Sequence, residues 1–497
     1  MSQGSVEGGM APPATRDAPG LPADRPRHGF EQLSAVADAV LYEGYLLYPY
    51  RRSSAKNRVR WQFGVLFPRT WVEQDGPVVP NVSGSADSWY QRTEVLLRTR
   101  QPGATLRVRL RYLQLQRKQV EETGHGRLRE VESLRTDDGT VHLTFDEAVP
   151  CEVDIALPLD DLLQEERIVP AGAAAGRDIE ALPSGVGRVV RRREEVRAEV
   201  ALAAEQLGEN LCRLRVCTVN SGPAPDPRAT REEALSGALI AAHTLIGGDG
   251  VEFVSLINPP EDLRAQAGMC RNEFTFPVLG GEPSAPSPAG TTGHVLLSSP
   301  IILPDHPQVA PESPGDLHDA AEIDEILTLR TMLLTDEEKR EARATDPRAA
   351  AILDRVDTMP PEVFARLHGA VRSLAPADPS PPRPERPAWW QEGADDGLSP
   401  STDTVLVDGV PLGGGSRVRL RPRRRGADAQ DMFLAGRTAE VAGVFHDVDG
   451  SVHLAVTLDD DPAAELHSWY GRFHYFRPDE LEPLSPTDSD TPRSGGR

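Results

Sequence analysis

The sequence predicts a multidomain α+β protein, with a β-rich antiparallel, sandwich-like body, a helical segment and a C-terminal small SH3-like β-barrel. The first observation is length, because 497 residues exceed one ordinary domain. The second is the apolar–polar alternation of segments such as 106–112, which is typical of strands with one buried face. The third is a proline-rich stretch that leads into capped helices.

Charge and composition argue against several classes of protein. A formal net charge of −22 and a pI near 5.0 argue against a nucleic-acid binder, because phosphate binding requires a basic surface. No run of about 18 apolar residues occurs, so we expect no membrane span. Four cysteines in the whole chain indicate a reducing compartment, and we therefore expect a cytoplasmic protein.

Changes in composition along the chain predict six segments. Both ends are polar or rich in small residues and are predicted to be disordered tails, at 1–29 and 486–497. Between them we predict a β-rich body at 30–280, a proline-rich strap and helical segment at 281–375, a proline-rich linker at 376–403 and an SH3-like β module at 404–485.

Within the body, two local patterns carry predictions. The apolar phase of the strand at 106–112 changes at Leu113, which predicts a β-bulge. Residues 229–246 predict a short helix that contains His243, and a lone histidine there is more often structural than catalytic. The glycine loop at 247–250 lacks the lysine of a phosphate-binding P-loop, so we expect no nucleotide site.

The proline-rich strap and the helices after it carry the most specific sequence signals for local structure. Prolines predict an extended path across the body, at positions 300, 304, 307, 311 and 314. The next helix is expected to turn Ile323, Ile326, Leu327 and Leu329 toward the core. Further helix starts are predicted by a capping-box pattern at Thr335 with Glu338 and by Asp346 before Pro347.

Candidate chemistry is sparse. The sequence contains no Gly-x-Ser-x-Gly, His-Glu-x-x-His or Cys-x-x-Cys motif, so we predict no catalytic residue. Cys212 and Cys217 are five residues apart on a predicted strand and should point to opposite faces. With Cys151 and Cys270, they are interpreted as small buried residues.

The strap also contains the best candidates for a metal site. Carboxylate and imidazole ligands can hold a divalent ion, and the candidates are Asp305, His306, Asp316, His318, Asp319 and Glu322. The competing interpretation is that these acidic residues cap a helix and complement its dipole.

Several stretches together resemble one known group of proteins. In residues 30–375 they are Tyr42–Tyr50, Asn57–Trp61 and 299–339; in the C-terminal module they are Val418–Pro422, Asp431, Gly436–Ala439, Asp459–Pro462 and Phe476. These resemble uncharacterised accessory proteins encoded beside actinobacterial-type nickel–iron hydrogenases. His306 and His318 stand where aromatic residues are expected in that group. The resemblance implies a cytoplasmic accessory factor and carries over no catalytic residue.

Two functions from different classes therefore compete. The first is a non-catalytic accessory or assembly protein without a cofactor, which acts by protein–protein interaction with a hydrogenase subunit or maturation factor. A tethered C-terminal module would raise its own effective concentration at a client that the body already holds. The alternative is a metal-dependent enzyme or metallochaperone that uses the acidic and histidine cluster at 305–325.

Overall fold

The computed structural model is rich in antiparallel β-sheet and contains a few helices. It describes residues 30–54, 56–57, 60–80, 86–124, 126–223, 225–281, 292–310, 313, 315–319, 324–360, 363, 403–423, 434–446, 452–459 and 473–484. The helices are α1 (Ser34–Tyr42), α2 (Arg69–Val72), α3 (Leu159–Gln164), α4 (Arg231–Ala234), α5 (Arg264–Gly268), α6 (Asp324–Met332), α7 (Asp336–Thr345) and α8 (Pro347–Asp357). No helix among the described residues is long and apolar enough to cross a membrane. The two predicted tails lie outside these ranges, as does the predicted linker except for its last residue.

The body consists of two large antiparallel sheets and a separate two-stranded sheet. Its strands are β1 (Tyr90–Thr99), β2 (Thr105–Gly124), β3 (Arg127–Val131), β4 (Ser133–Arg135), β5 (Val141–Leu143), β6 (Phe145–Pro158), β7 (Arg167–Pro170), β8 (Gly176–Ala181), β9 (Gly187–Arg193), β10 (Ala198–Gln206), β11 (Leu211–Asn220), β12 (Ile240–Asp249), β13 (Val251–Val254), β14 (Phe276–Leu279), β15 (Thr292–Gly293) and β16 (Val295–Ser299). The six-stranded sheet has the order β15-β13-β1-β11-β10-β7. The eight-stranded sheet has the order β14-β16-β12-β2-β9-β8, and its remaining strands, β3 and β6, both pair with β2. Strands β4 and β5 form the two-stranded sheet. Val95 and Leu214 of the first sheet share one core with Leu110 and Ile246 of the second. The prediction of a β-rich antiparallel body is therefore confirmed.

Strand β2 explains the change of apolar phase that the sequence shows. Tyr112 faces the core between the sheets, whereas Leu113 and Leu115 face a second core on the other side. The predicted bulge is present, but its extra residue lies on the partner strand β12, between Ile240 and His243. The apolar phase changes mainly because one face of β2 packs on the core between the sheets up to Tyr112, and the opposite face packs on the second core from Leu113 onward.

The helix predicted at 229–246 is wrong over most of its length. Helix α4 is followed by a 3-10 turn at Leu235–Gly237, and β12 then begins. Strand β12 is buried on both faces, since Ile246 packs between the sheets and Leu245 packs with residues of α1. A strand buried on both faces loses its period-two alternation, so its pattern cannot be told from that of a buried helix. His243 consequently lies on a strand.

The boundary predicted between body and strap at residue 280 also needs correction. Strand β15 pairs with β13, and β16 pairs with β12 and β14, so residues up to Ser299 belong to the body sheets. The following helices share a core with the N-terminal segment, in which Leu327 and Ile352 join Tyr45 and Trp71. The paired strands are separated in the sequence, so their pairing cannot be recognised from the composition of the residues around position 280.

The C-terminal module has its own sheet and its own core. Its strands are β17 (Val405–Val407), β18 (Val410–Leu412), β19 (Arg417–Leu420), β20 (Thr438–His446), β21 (Val452–Leu458), β22 (His474–Phe476) and β23 (Leu481–Pro483). Five of them form an antiparallel sheet in the order β22-β21-β20-β19-β23, around Val418, Val456 and Phe476. The two edge strands do not pair with each other within the described part of the module. Closure into an SH3-like barrel therefore stays a prediction.

The capping box predicted at Thr335 and Glu338 is confirmed at the start of α7. Thr335 Oγ1 accepts the N–H of Glu338 at 3.3 Å, and Glu338 Oε2 accepts the N–H of Thr335 at 2.9 Å. We expect Thr335→Ala to lower the free energy of unfolding by about 1 kcal/mol, because the Glu338 N–H loses its acceptor. Chemical denaturation of the full chain measures this, with Thr335→Ser as the control that keeps the hydroxyl. Equal stability of Thr335→Ala and wild type would contradict the assigned role of the cap.

Candidate functional site

The strap, defined here as residues 299–319, is attached to the edge of the eight-stranded sheet. Asp305 accepts the N–H of Leu279 at 2.8 Å with one carboxylate oxygen and the hydroxyl of Ser255 at 2.5 Å with the other. The His306 N–H donates to the carbonyl of Leu279 at 2.7 Å, and its Nδ1 lies 3.1 Å from the carbonyl of Gly281. These two metal candidates therefore hold the chain against β14.

The second half of the strap is attached to the aromatic N-terminal segment, which we define as residues 42–67. Asp316 accepts the N–H of His318 at 2.7 Å, and its other oxygen lies 3.0 Å from His318 Nδ1. Burial acts to raise the pKa of Asp316, but the hydrogen bonds and charge of His318 hold that pKa below its usual range. Asp319 is buried and accepts the N–H of Tyr48 at 2.8 Å. The His318 ring lies 5.9 Å from that of Tyr42.

The metal candidates thus serve mainly as anchors of the strap. Five of the six lie within the described residues, whereas Glu322 lies outside them. Among the described residues, no group of three His, Cys, Asp or Glu side chains is placed to hold a metal ion. The predicted extended path is interrupted, because His306 and His318 adopt positive φ angles of 56° and 58°. Such φ values turn the chain sharply and are unusual outside glycine.

Helix α6 follows the strap and is apolar on two sides. Leu327, Thr328 and Thr331 are fully buried, and the Thr331 hydroxyl donates to the Leu327 carbonyl at 2.7 Å. Leu334 completes this side, which packs into the second core. The buried side holds the helix on the aromatic segment, whose Tyr48 hydroxyl donates to the Arg330 carbonyl at 3.3 Å.

The other side of α6 exposes large apolar residues, which together we call the α6 arc. Ile326 is 40% exposed, Leu329 39%, Met332 50% and Leu333 82%. Ile326, Leu329 and Met332 lie along one side of the helix at a spacing of three residues. Leu333 directly follows the helix, and its N–H donates to the Leu329 carbonyl at 3.3 Å. Ile323 lies outside the described residues. The sequence prediction that Ile326 and Leu329 face the core is wrong, because Leu327 lies about 100° away around the helix and takes the buried position.

Buried charged residues lie next to the core that Leu327 of α6 shares with Trp61 and Phe145. Arg231 and Asp87 form an ion pair at 2.8 Å, with side chains only 5% and 2% exposed. Arg60 lies between the rings of Trp61 and Phe145, at 4.1 and 4.0 Å from their centroids. The sequence did not indicate this network because its members lie 144 and 171 residues apart, as Arg231 does from Asp87 and from Arg60.

A further link joins the aromatic segment to the start of α8. The Tyr45 hydroxyl donates to Asp346 at 2.9 Å, and Asp346 also caps α8 by accepting the N–H of Arg348 at 2.7 Å. This confirms the helix start predicted at Asp346. Burial, reinforced by the Asp346 carboxylate, raises the pKa of Tyr45 above its ordinary value. Tyr45 is therefore a neutral hydrogen-bond donor.

The interpretation of the four cysteines as small buried residues is confirmed for Cys212, whereas Cys151, Cys217 and Cys270 are only half-buried. Cys212 lies in the core between the sheets, and Cys217 lies on the opposite face of β11. All four are free, and burial raises the pKa of Cys151, Cys217 and Cys270 to about 11 in each case. At neutral pH these groups are thiols, which are poor nucleophiles and poor metal ligands.

Within the described residues, the α6 arc is a group of neighbouring exposed apolar side chains on one helical segment. The sequence contained a signal for it, because apolar residues at 326, 327, 329 and 332–334 cover both sides of a helix. No protein-family model and no curated protein matches this chain.

Proposed function

We propose that this protein is a non-catalytic accessory or assembly protein that binds a protein partner through the α6 arc. The observation that carries the proposal is a helix with one apolar side packed on the body and a second apolar side exposed. Contiguous apolar residues on a surface are typical of protein interaction sites. Because residues 30–375 resemble hydrogenase-associated accessory proteins, we propose a nickel–iron hydrogenase subunit or maturation factor as the partner, bound in the cytoplasm.

Charges next to the α6 arc define the surface that such a partner needs. Helix α7 begins two residues after Leu334 and carries exposed Asp336 and Glu337 in its first turn. The whole chain has a formal net charge of −22. A complementary partner therefore has an apolar groove that receives Leu329 and Leu333 and a rim of Lys or Arg.

The C-terminal module fits the same proposal as a second contact. We propose that its five-stranded sheet closes into an SH3-like barrel and binds the same client. Because the module is covalently joined to the body, its effective concentration at the client reaches roughly millimolar values. Even weak binding by the module would then prolong the lifetime of the complex.

Substitution of the α6 arc tests the proposal. We expect the double variant Leu329→Glu/Leu333→Glu to bind purified hydrogenase subunits at least about tenfold more weakly than wild type, because two charges would be buried in an apolar contact. Both side chains are exposed, so the fold should be unchanged, which circular dichroism checks. Ile168→Glu is the matched control, since Ile168 is 60% exposed on the edge strand β7.

Three outcomes count against parts of the proposal. Equal binding by the double variant and wild type would exclude the α6 arc as the contact. Binding of an unrelated protein in place of hydrogenase components would exclude the proposed partner but would leave the α6 arc as the binding surface. Stoichiometric divalent metal in the purified protein, lost in Asp316→Asn, would favour the alternative of a metal-dependent enzyme or metallochaperone.

A further inference from the structure

We infer that the outer face of the six-stranded sheet binds a small oxyanion that carries carboxylate or phosphate groups. The site is a groove of about 640 Å³ between this sheet and the loop that follows α5. Its volume lies within the range of small-molecule sites in proteins. It shares no residue with the α6 arc, so the inference is independent of the proposed protein interaction.

Four arginines converge on the groove from three parts of the chain. Arg213 and Arg215 point to the same face of β11, because side chains alternate along a strand. Arg92 lies on the neighbouring strand β1, and Arg271 lies on the loop after α5. In a chain of formal net charge −22, such a concentration of guanidinium groups departs from the general character of the protein.

The shape of the groove comes from small neighbours of these arginines. Ala203 of β10 stands directly opposite Arg215 in the strand register, and Ala204 lies beside it. Side chains of this size leave open the space that a larger residue would fill. Met269, which is 56% exposed, forms an apolar part of the wall.

Two carboxylates, Glu94 and Glu205, line the groove together with four arginines, so they do not satisfy all of its positive charge. Glu94 accepts Arg92 with one oxygen at 2.5 Å and the backbone N–H of Arg271 with the other at 2.9 Å. Both of its oxygens are therefore engaged in holding the wall of the groove. Within the described part of the chain, the exposed guanidinium of Arg271 has no carboxylate partner.

The remaining arginines are paired only at the surface. Arg213 contacts Glu205, whose side chain is 58% exposed, and Arg215 contacts Glu166 at 3.0 Å, with 45% exposure. Solvent-exposed ion pairs of this kind contribute little to stability, so an incoming oxyanion can replace the carboxylates. The planar fork of arginine matches carboxylate and phosphate oxygens in a bidentate manner. Arg213, Arg215 and Arg271 can thus hold one ligand.

Titration of the full-length protein with citrate and with inorganic pyrophosphate tests the site. We expect saturable binding of one equivalent by calorimetry, together with a rise in melting temperature as the bound state is stabilised. The variant Arg213→Ala/Arg271→Ala should bind at least about tenfold more weakly, because two charge-assisted contacts are lost. Arg129→Ala is the control, since its side chain is 77% exposed on the separate strand β3.

The two probes distinguish the sources of the oxyanion. Tighter binding of pyrophosphate assigns the site to a phosphate ligand, and tighter binding of citrate assigns it to a polycarboxylate. Arg271→Lys should retain part of the affinity of the preferred probe, because it keeps the charge and loses the fork. The inference is overturned if the double variant binds like wild type, or if both probes bind with Kd above about 10 mM.

Discussion

Asp87→Ala is expected to lower the free energy of unfolding of the body by about 3–5 kcal/mol, which is the usual cost of removing one partner from a buried ion pair. Arg231 donates to both oxygens of Asp87, at 2.8 and 2.9 Å, and to the carbonyl of Trp61 at 2.9 Å. Without Asp87 the guanidinium would remain buried and only partly satisfied. Denaturant unfolding followed by tryptophan fluorescence measures the loss, since Trp61 and Trp71 lie in the same core.

A control substitution in an exposed ion pair shows whether the cost of Asp87→Ala comes from burial of the pair. Glu122 pairs with Arg129 at 3.1 Å, with side chains 41% and 77% exposed. Glu122→Ala should therefore cost less than about 1 kcal/mol. Asp87→Leu with Arg231→Met should recover most of the loss, because an apolar pair avoids the unpaired charge. A loss below about 1 kcal/mol in Asp87→Ala would contradict the assigned role of the pair.

His243 is expected to make the protein lose about 3 kcal/mol of stability as the pH falls from about 6.5 to about 4. The pKa of His243 falls from 6.5 to about 4 in the folded state, mainly because of burial, and the nearby Arg111 acts in the same direction. In the unfolded chain the imidazole takes up its proton near pH 6.5. Below that pH the unfolded state binds more protons, so this contribution to stability is complete above pH 6.5 and is lost progressively toward pH 4.

The geometry around His243 gives the physical reason. Its side chain is fully buried, and Nδ1 lies 2.8 Å from the carbonyl of Ala241. Nε2 has no hydrogen-bond partner among the described residues. A second proton would therefore place an unpaired charge in the interior, where Asp38 offsets it only in part.

Stability measured as a function of pH checks this prediction. His243→Gln should be less stable than wild type at pH 7.5. Between pH 6.5 and 4, its free energy of unfolding should fall less steeply with decreasing pH, by a slope that corresponds to the uptake of up to about one proton on unfolding. Proton NMR of the native protein should show no titration of the His243 ring near pH 6.5. A ring that titrates there, or an unchanged slope in the variant, would contradict the prediction.

Patterns of short range were predictable from the sequence. Leu214 and Val216 alternate with Arg213 and Arg215, and this alternation indicated β11 because it reports one buried and one solvated face. Helix starts at Thr335 and Asp346 were predictable because a cap needs only a few adjacent residues.

Features of longer range were not predictable in the same way. His243 was assigned to a helix because β12 is covered on both faces, which removes the strand pattern. The ion pair of Arg231 and Asp87 joins positions 144 residues apart, and neither residue stands in a distinctive motif. The carboxylates of Asp305 and Asp319 are hydrogen-bond acceptors of the strap, a role that depends on backbone N–H groups from distant segments.

By itself the sequence determined the antiparallel β-rich body, a C-terminal β module and two capped helices, because each depends on the periodicity or capping of neighbouring residues. Only the tertiary structure decided which side of α6 is buried, where the strap is attached and how four arginines meet on one sheet. Those outcomes depend on which surfaces meet across long sequence separations. The hydrophobic effect rewards any contact that buries apolar area, so a helix apolar on both sides does not itself specify which side is covered. The second core, which contains Tyr45 and Trp71, makes that choice for α6 and leaves Ile326, Leu329, Met332 and Leu333 exposed to solvent.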